Sequence, residues 1–135
     1  MVYGENISGW KDLQKQFKAW SISGPDGDKE GKLRSIGVSN FYPDHLIDIA
    51  SNVDVKPMVN QVETHVFDQQ IEAKKYMDEL DCRIMSWGPL AEGRNGFFQN
   101  ALLGETGKKY GKTIPQVALR WLLQRGVIII PKSTH

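Results

Sequence analysis

Three short runs that read as buried strands begin near residues 33, 58 and 83, a repeat of 25 residues. One strand, one helix and two short connections fill such an interval. Strict alternation of strand and helix makes a parallel α/β sheet with right-handed crossovers. The runs are residues 33–38 (LRSIGV), 58–63 (MVNQVE) and 83–87 (RIMSW), and a fourth, 127–130 (VIII), follows a longer gap. That last run is apolar on both faces, the pattern of a parallel strand covered by helices.

Helical periodicity lies before and between the runs. Trp10, Leu13, Phe17 and Trp20 recur at helical spacing, as do Leu46, Ile47 and Ala50 with Pro43 near the first turn. Ala73, Tyr76, Met77 and Leu80 form an i, i+3, i+4, i+7 stripe. The last helix has the fullest signature. Thr113 and Gln116 stand in capping-box relation, Ile114, Val117, Ala118, Trp121 and Leu122 form the stripe, and Gly126 follows as the stop. Residues 101–110 read as a weaker helix, because Gly104 and Gly107 lower its propensity. Residues 88–100 and the Gly/Pro/Asp-rich stretch 21–29 read as loops. No linker interrupts the pattern, so residues 1–135 are expected to form a single domain.

Composition excludes several classes of partner. Seventeen Lys and Arg against 16 Asp and Glu leave a formal charge of +1, with no block of one sign. That gives no electrostatic footprint for nucleic acid or an anionic membrane. The longest apolar run, residues 127–131, is far short of the ~20 residues that span a bilayer. The N-terminus lacks the basic-then-apolar order of a signal peptide. Cys82, the one cysteine, forms no internal disulfide and is expected as a packed thiol in a reducing cytoplasm.

In parallel α/β folds, function gathers at the C-terminal ends of the strands. Here those ends carry Ser39-Asn40-Phe41, then Asn60-Gln61 and Glu63, then Trp87-Gly88-Pro89-Leu90, and finally Pro131-Lys132-Ser133-Thr134. Amides and hydroxyls suit a carboxamide, an aromatic face suits stacking, and a cation with two hydroxyls suits a phosphate. This inventory matches a nicotinamide nucleotide. Each residue also has a plainer reading. Ser39 and Asn40 could cap the next helix, Trp87 could be core, Lys132 could be a solvated cation, and Gln61 could serve an internal partner. Of the histidines, His45 beside Asp44 reads as solvated, and His135 is the last residue.

The segments GKLRSIGVSNF, NQVETH, SWGPLAEGRNG, KKYGKTIPQVALRWLLQRGV and IPKS resemble, in order and spacing, the second half of bacterial aldo-keto reductases. The opening Tyr3-Gly4 and Trp10-Lys11-Asp12-Leu13 are similar to that family's helix before its fifth strand. The resemblance implies an (αβ)4 half of a TIM-type barrel with four parallel strands. It also implies NADP(H) lying across the barrel mouth. On that basis Ser39, Asn40 and Gln61 hold the nicotinamide carboxamide and Trp87 stacks on the ring. Gly88, Pro89 and Leu90 begin the loop over the pyrophosphate. Lys132, Ser133 and Thr134 meet the 2′-phosphate. His65 falls where the family often carries a structural histidine.

The same resemblance marks what is missing. The family's Tyr, Lys, Asp and His tetrad sits at the ends of its first four strands, and no part of this chain resembles those strands. Tyr3, Tyr42, Tyr76 and Tyr110 do not match the proton donor. The expectation is weak or vestigial NADP binding without competent carbonyl reduction by this chain alone. Four parallel strands leave two edges and an inner face that invite pairing. A homodimer or a complementary half barrel would complete them. Two other readings stand beside this one: a non-enzymatic interaction module, and one half of a split NADPH-dependent oxidoreductase.

Overall fold

The computed structural model describes Val2–Tyr3, Lys11, residues 35–53 and residues 55–132. The expected helix on Trp10, Leu13, Phe17 and Trp20 lies outside the described residues apart from Lys11, which is helical. The 21–29 loop, Leu33, Arg34, Ser133, Thr134 and His135 also lie outside them.

All four expected strands form, as β2 (Gly37–Ser39), β3 (Val59–Glu63), β4 (Arg83–Trp87) and β5 (Ile128–Ile129). A fifth, β1 (Val2–Tyr3), precedes them and pairs in parallel with β2, Val2 opposite Val38. Two residues are too few to show a period of two, so periodicity does not reveal β1. The strand order is β1-β2-β3-β4-β5. β2 runs parallel to β3 with Val38 opposite Asn60, and β4 runs parallel to β5 with Met85 opposite Ile128. The architecture is α/β, as the alternation predicts.

The chain divides into two compact units, Met1–Val62 with Ile71–Ile84, and Glu63–Gln70 with Met85–His135. In the first, α1 (Pro43–Ser51) starts after Tyr42, with Pro43 in its first turn, where a missing N–H costs nothing. It buries Leu46, Ile49 and Ala50, an i, i+3, i+4 face. Ile47, expected on that face, is 41% exposed, and Ile49 takes its place. α2 (Ile71–Glu79) packs against α1 and buries Met77. Tyr76, placed on its stripe by spacing, is 42% exposed, and Lys74–Asp78 and Lys75–Glu72 pairs line its outer side. Gly37 is required where β2 meets β3, because a Cβ there would lie 2.7 Å from the Val59 carbonyl oxygen. Cys82 is 1% exposed, and burial pushes its thiol up to about 12. It is the packed thiol that its apolar setting predicts.

In the second unit, α3 (Ala101–Tyr110) packs on α4 (Ile114–Gln124), which packs on β5. Asn100 caps α3 by accepting from the Leu103 N–H at 3.0 Å. Gly107 is not a defect. A Cβ there would strike the Lys112 carbonyl oxygen, so the tight α3–α4 corner selects glycine despite its helix cost. The capping box forms as expected, Thr113 N–H to Gln116 Oε1 at 2.9 Å and Gln116 N–H to Thr113 Oγ1 at 3.5 Å. Gly126 adopts φ 73° directly beyond the helix cap. Ala91, Phe97, Leu103 and Ala118 form the core of this unit, with Val66, Leu90, Ile114 and Val117 around them. In β5 the expectation of two covered faces is only partly met. Val127 just before it is buried, but Ile128 and Ile130 are 37% and 49% exposed.

Candidate functional site

At the C-terminal end of β2 the chain turns into the left-handed region at Asn40, φ 55°. Asparagine tolerates that region better than most residues. The Asn40 N–H donates to the Gln61 carbonyl at 2.8 Å, and the Ser39 hydroxyl donates to the same carbonyl at 3.1 Å. Ser39 is buried, while Asn40 and Gln61 are half-buried. Three of the expected cofactor residues therefore sit together, joined through one carbonyl. The capping alternative for Ser39 and Asn40 is not adopted. The residue at the start of α1 is Tyr42, with no side-chain cap.

A residue outside the expected set holds this turn. Asn60 is fully buried on β3, and its amide takes both backbone groups of Phe41: Nδ2 donates to the carbonyl at 2.8 Å and Oδ1 accepts from the N–H at 3.3 Å. Phe41 is itself 2% exposed. One side chain thus meets both a donor and an acceptor of the buried backbone at Phe41. The signal was an amide at a core-facing strand position, where only a partnered polar group survives.

In the second unit, Trp87 ends β4 half-buried and Gly88 follows at φ 63°. A Cβ at Gly88 would meet only Glu92 Cγ at 3.8 Å, so the backbone conformation, rather than crowding, selects glycine here. Pro89 is buried and Leu90 packs on the Ala91–Phe97 cluster. Two single-turn 3-10 segments, Ala91–Gly93 and Phe97–Gln99, complete the loop. Arg94 and Glu92 form an exposed ion pair there. Glu92 holds the guanidinium above its usual range, and Glu63 adds to the effect. Lys132 is exposed, and Ser133 and Thr134 lie outside the described residues.

Residues 64–70, directly after β3, form a second hydrogen-bonded knot with the strand's last residue. The Ser86 hydroxyl, fully buried, donates to the Thr64 carbonyl at 2.6 Å. The Thr64 hydroxyl donates to the Asp68 carbonyl at 2.9 Å, and Gln70 Nε2 to the Glu63 carbonyl at 3.0 Å. Arg125, stacked over Trp121 at 4.5 Å, donates to the Gln69 carbonyl at 2.7 Å. His65, 6% exposed, sits inside this knot. His45, expected in solvent, has a side chain only 22% exposed, edge-on to Phe41 at 6.3 Å. The described residues contain no cluster suited to a metal ion, and no helix long and apolar enough to cross a membrane.

The family model for the aldo/keto reductase family matches residues 25–135. A 9,11-endoperoxide prostaglandin H2 reductase of Trypanosoma cruzi is 38% identical over 130 residues, covering 96% of this chain and 42% of that protein. Among solved structures, a variant of Gox0644 in complex with NADPH superposes with TM-score 0.83 at 34% identity, covering 98% of this chain and 47% of the other. An aldo-keto reductase of Bombyx mori in complex with NADP superposes with TM-score 0.79 at 29% identity, covering 91% and 41%. The chain spans less than half the length of the proteins it matches. Its α/β architecture corresponds to part of their barrel, and the chain belongs to the aldo/keto reductase family.

Proposed function

We propose that this chain contributes the nicotinamide-nucleotide-binding part of an NADPH-dependent aldo-keto reductase, and that it does not reduce carbonyls unaided. One observation carries the reading. In a chain whose family match covers residues 25–135, Ser39 and Asn40 are both held on the Gln61 carbonyl by hydrogen bonds within the chain. Preorganised polar groups of this kind bind without an ordering cost. The NADPH and NADP held by two structural relatives supply the ligand class.

By that likeness Ser39, Asn40 and Gln61 hold the carboxamide, and half-buried Trp87 offers its face to the ring. Gly88, Pro89 and Leu90 begin the cover over the pyrophosphate, and Lys132, Ser133 and Thr134 meet the 2′-phosphate. The donor set fits the group: amides and a hydroxyl for an amide, an indole for an aromatic ring, a cation for a phosphate. A bound nicotinamide would supply hydride. The residues of this chain orient the ring and set its surroundings. No described residue supplies the proton. Tyr42, Tyr76 and Tyr110 are 74%, 42% and 65% exposed, unlike a tyrosine tuned in a closed site. Losing a general acid alone costs about 10²–10⁴-fold in rate.

The reading extends to assembly and place. β5 ends the strand order with Ile128 and Ile130 exposed, so a second copy or a complementary half barrel would pair there, in the cytoplasm. NADPH should quench tryptophan fluorescence, and Trp87→Phe should remove that response. No response at millimolar NADPH contradicts binding. NADPH oxidation that depends on an added aldehyde, catalysed by this chain alone, contradicts the absence of chemistry. A monodisperse monomer in light scattering at micromolar concentration contradicts the assembly.

A further inference from the structure

The ring of His65 is committed at both nitrogens. Nδ1 faces two backbone donors, Phe67 N–H at 3.2 Å and Asp68 N–H at 3.1 Å. The Asp68 N–H is shared with the His65 carbonyl, also at 3.1 Å, and the His65 N–H returns to the Asp68 carbonyl at 2.8 Å. An acceptor carries no proton, so Nδ1 is bare and Nε2 bears the hydrogen, which it donates to Glu63 Oε1 at 3.2 Å. The tautomer is fixed by its surroundings. A second proton has only Nδ1 to go to, and there it would face two N–H groups in a site that is 6% exposed.

The charged neighbours do not relieve that conflict. Glu63 favours a charged ring, but it meets Nε2, which already carries its hydrogen, so it restores no acceptor at Nδ1. Asp68 presents backbone to the ring and gives Oδ2 to Gln70 Nε2 at 3.3 Å. Arg94, from the loop after β4, acts on Glu63, and Arg125, from the end of α4, takes the Gln69 carbonyl. Protonation therefore opens the turn rather than being absorbed by it.

The turn leads to Trp87. The Thr64 carbonyl, next in the chain to His65, receives the Ser86 hydroxyl at 2.6 Å, and Thr64 Oγ1 is spent on the Asp68 carbonyl that His65 holds in place. We propose that neutral His65 is a positioning residue. It latches residues 64–70, and through Thr64 and Ser86 it sets the strand end that presents Trp87 to the nicotinamide. Acid releases the latch. The link to the cofactor rests on the function proposed above, whereas the latch itself does not.

Two measurements on the whole chain separate these parts. Hydrogen exchange at the Phe67 and Asp68 amides reads the latch between about pH 8 and about pH 5. Wild type should lose protection beyond the intrinsic pH dependence of exchange. His65→Asn, whose amide oxygen keeps an acceptor near Nδ1 but does not titrate, should hold it. NADPH titrations over the same range read the link. Wild type should weaken on the order of tenfold more than His65→Asn, the scale of one lost net hydrogen bond. Amides that stay protected in acid overturn the latch. Released amides with equal NADPH affinity changes in both proteins overturn the link and leave the cofactor reading intact. No NADPH binding at either pH overturns that reading and the link together, while the amides still decide the latch.

Discussion

Two irregular turns follow strands β2 and β3, one in each compact unit, and they are held by different chemistry. After β2, the Asn60 amide clamps Phe41 by its N–H and its carbonyl at once. After β3, the His65 imidazole gathers the N–H groups of Phe67 and Asp68, and Ser86 and Gln70 secure the carbonyls around it. An amide is both donor and acceptor at every pH. An imidazole is a pure acceptor at Nδ1 only while neutral. The same task, satisfying the backbone of a turn, thus falls to an amide in one unit and to an imidazole in the other.

The comparison breaks most visibly at Asn60. Asn60→Leu keeps the branched side-chain skeleton but removes both hydrogen bonds that the amide makes to the buried Phe41 backbone, and should cost about 3 kcal/mol in urea unfolding. A cost under about 1 kcal/mol would mean the clamp is dispensable. Ser86→Ala removes one buried donor from the Thr64 carbonyl and should cost about 1–2 kcal/mol. A contrast outside both turns is Thr113→Ala, which loses an exposed capping box and should cost about 1 kcal/mol in the same assay. Lys132→Gln should leave stability within about 0.5 kcal/mol, because the side chain is exposed. It should weaken NADPH binding while sparing NADH. Equal loss for both cofactors would remove Lys132 from the 2′-phosphate.

Cys82 adds a pH control that does not involve either turn. Its thiol ionises at about 12 in the folded chain against an ordinary value of 9.0, so the native state holds the proton longer than the unfolded one. The contribution is fully present below the unfolded value and is lost as pH rises from about 9 to about 12. Cys82→Ala should flatten that alkaline decline. Thiol reagents should leave native Cys82 untouched at neutral pH.

Strand and helix positions were legible because burial imprints a period on the side chains. Thr113 and Gln116 named their cap because a capping box is a local interaction. Ile49 replaced Ile47 because four apolar residues, Leu46, Ile47, Ile49 and Ala50, define two overlapping faces of one helix, and only packing selects one. Asn60 and Ser86 stayed silent as supports because their partners, Phe41 and Thr64, lie 19 and 22 residues away. The Ser39–Asn40–Gln61 group was legible through motif rather than period. Its shared carbonyl is a product of register between β2 and β3.

The most direct test of the central claim is an amide and indole chemical-shift map of the chain titrated with NADPH. The account predicts concerted, saturable shifts at Asn40, Gln61, Trp87, Gly88 and Lys132, with the α2 outer face around Lys74 and Asp78 unchanged. Shifts that fail to saturate, or that spare the first three of those residues, would contradict it.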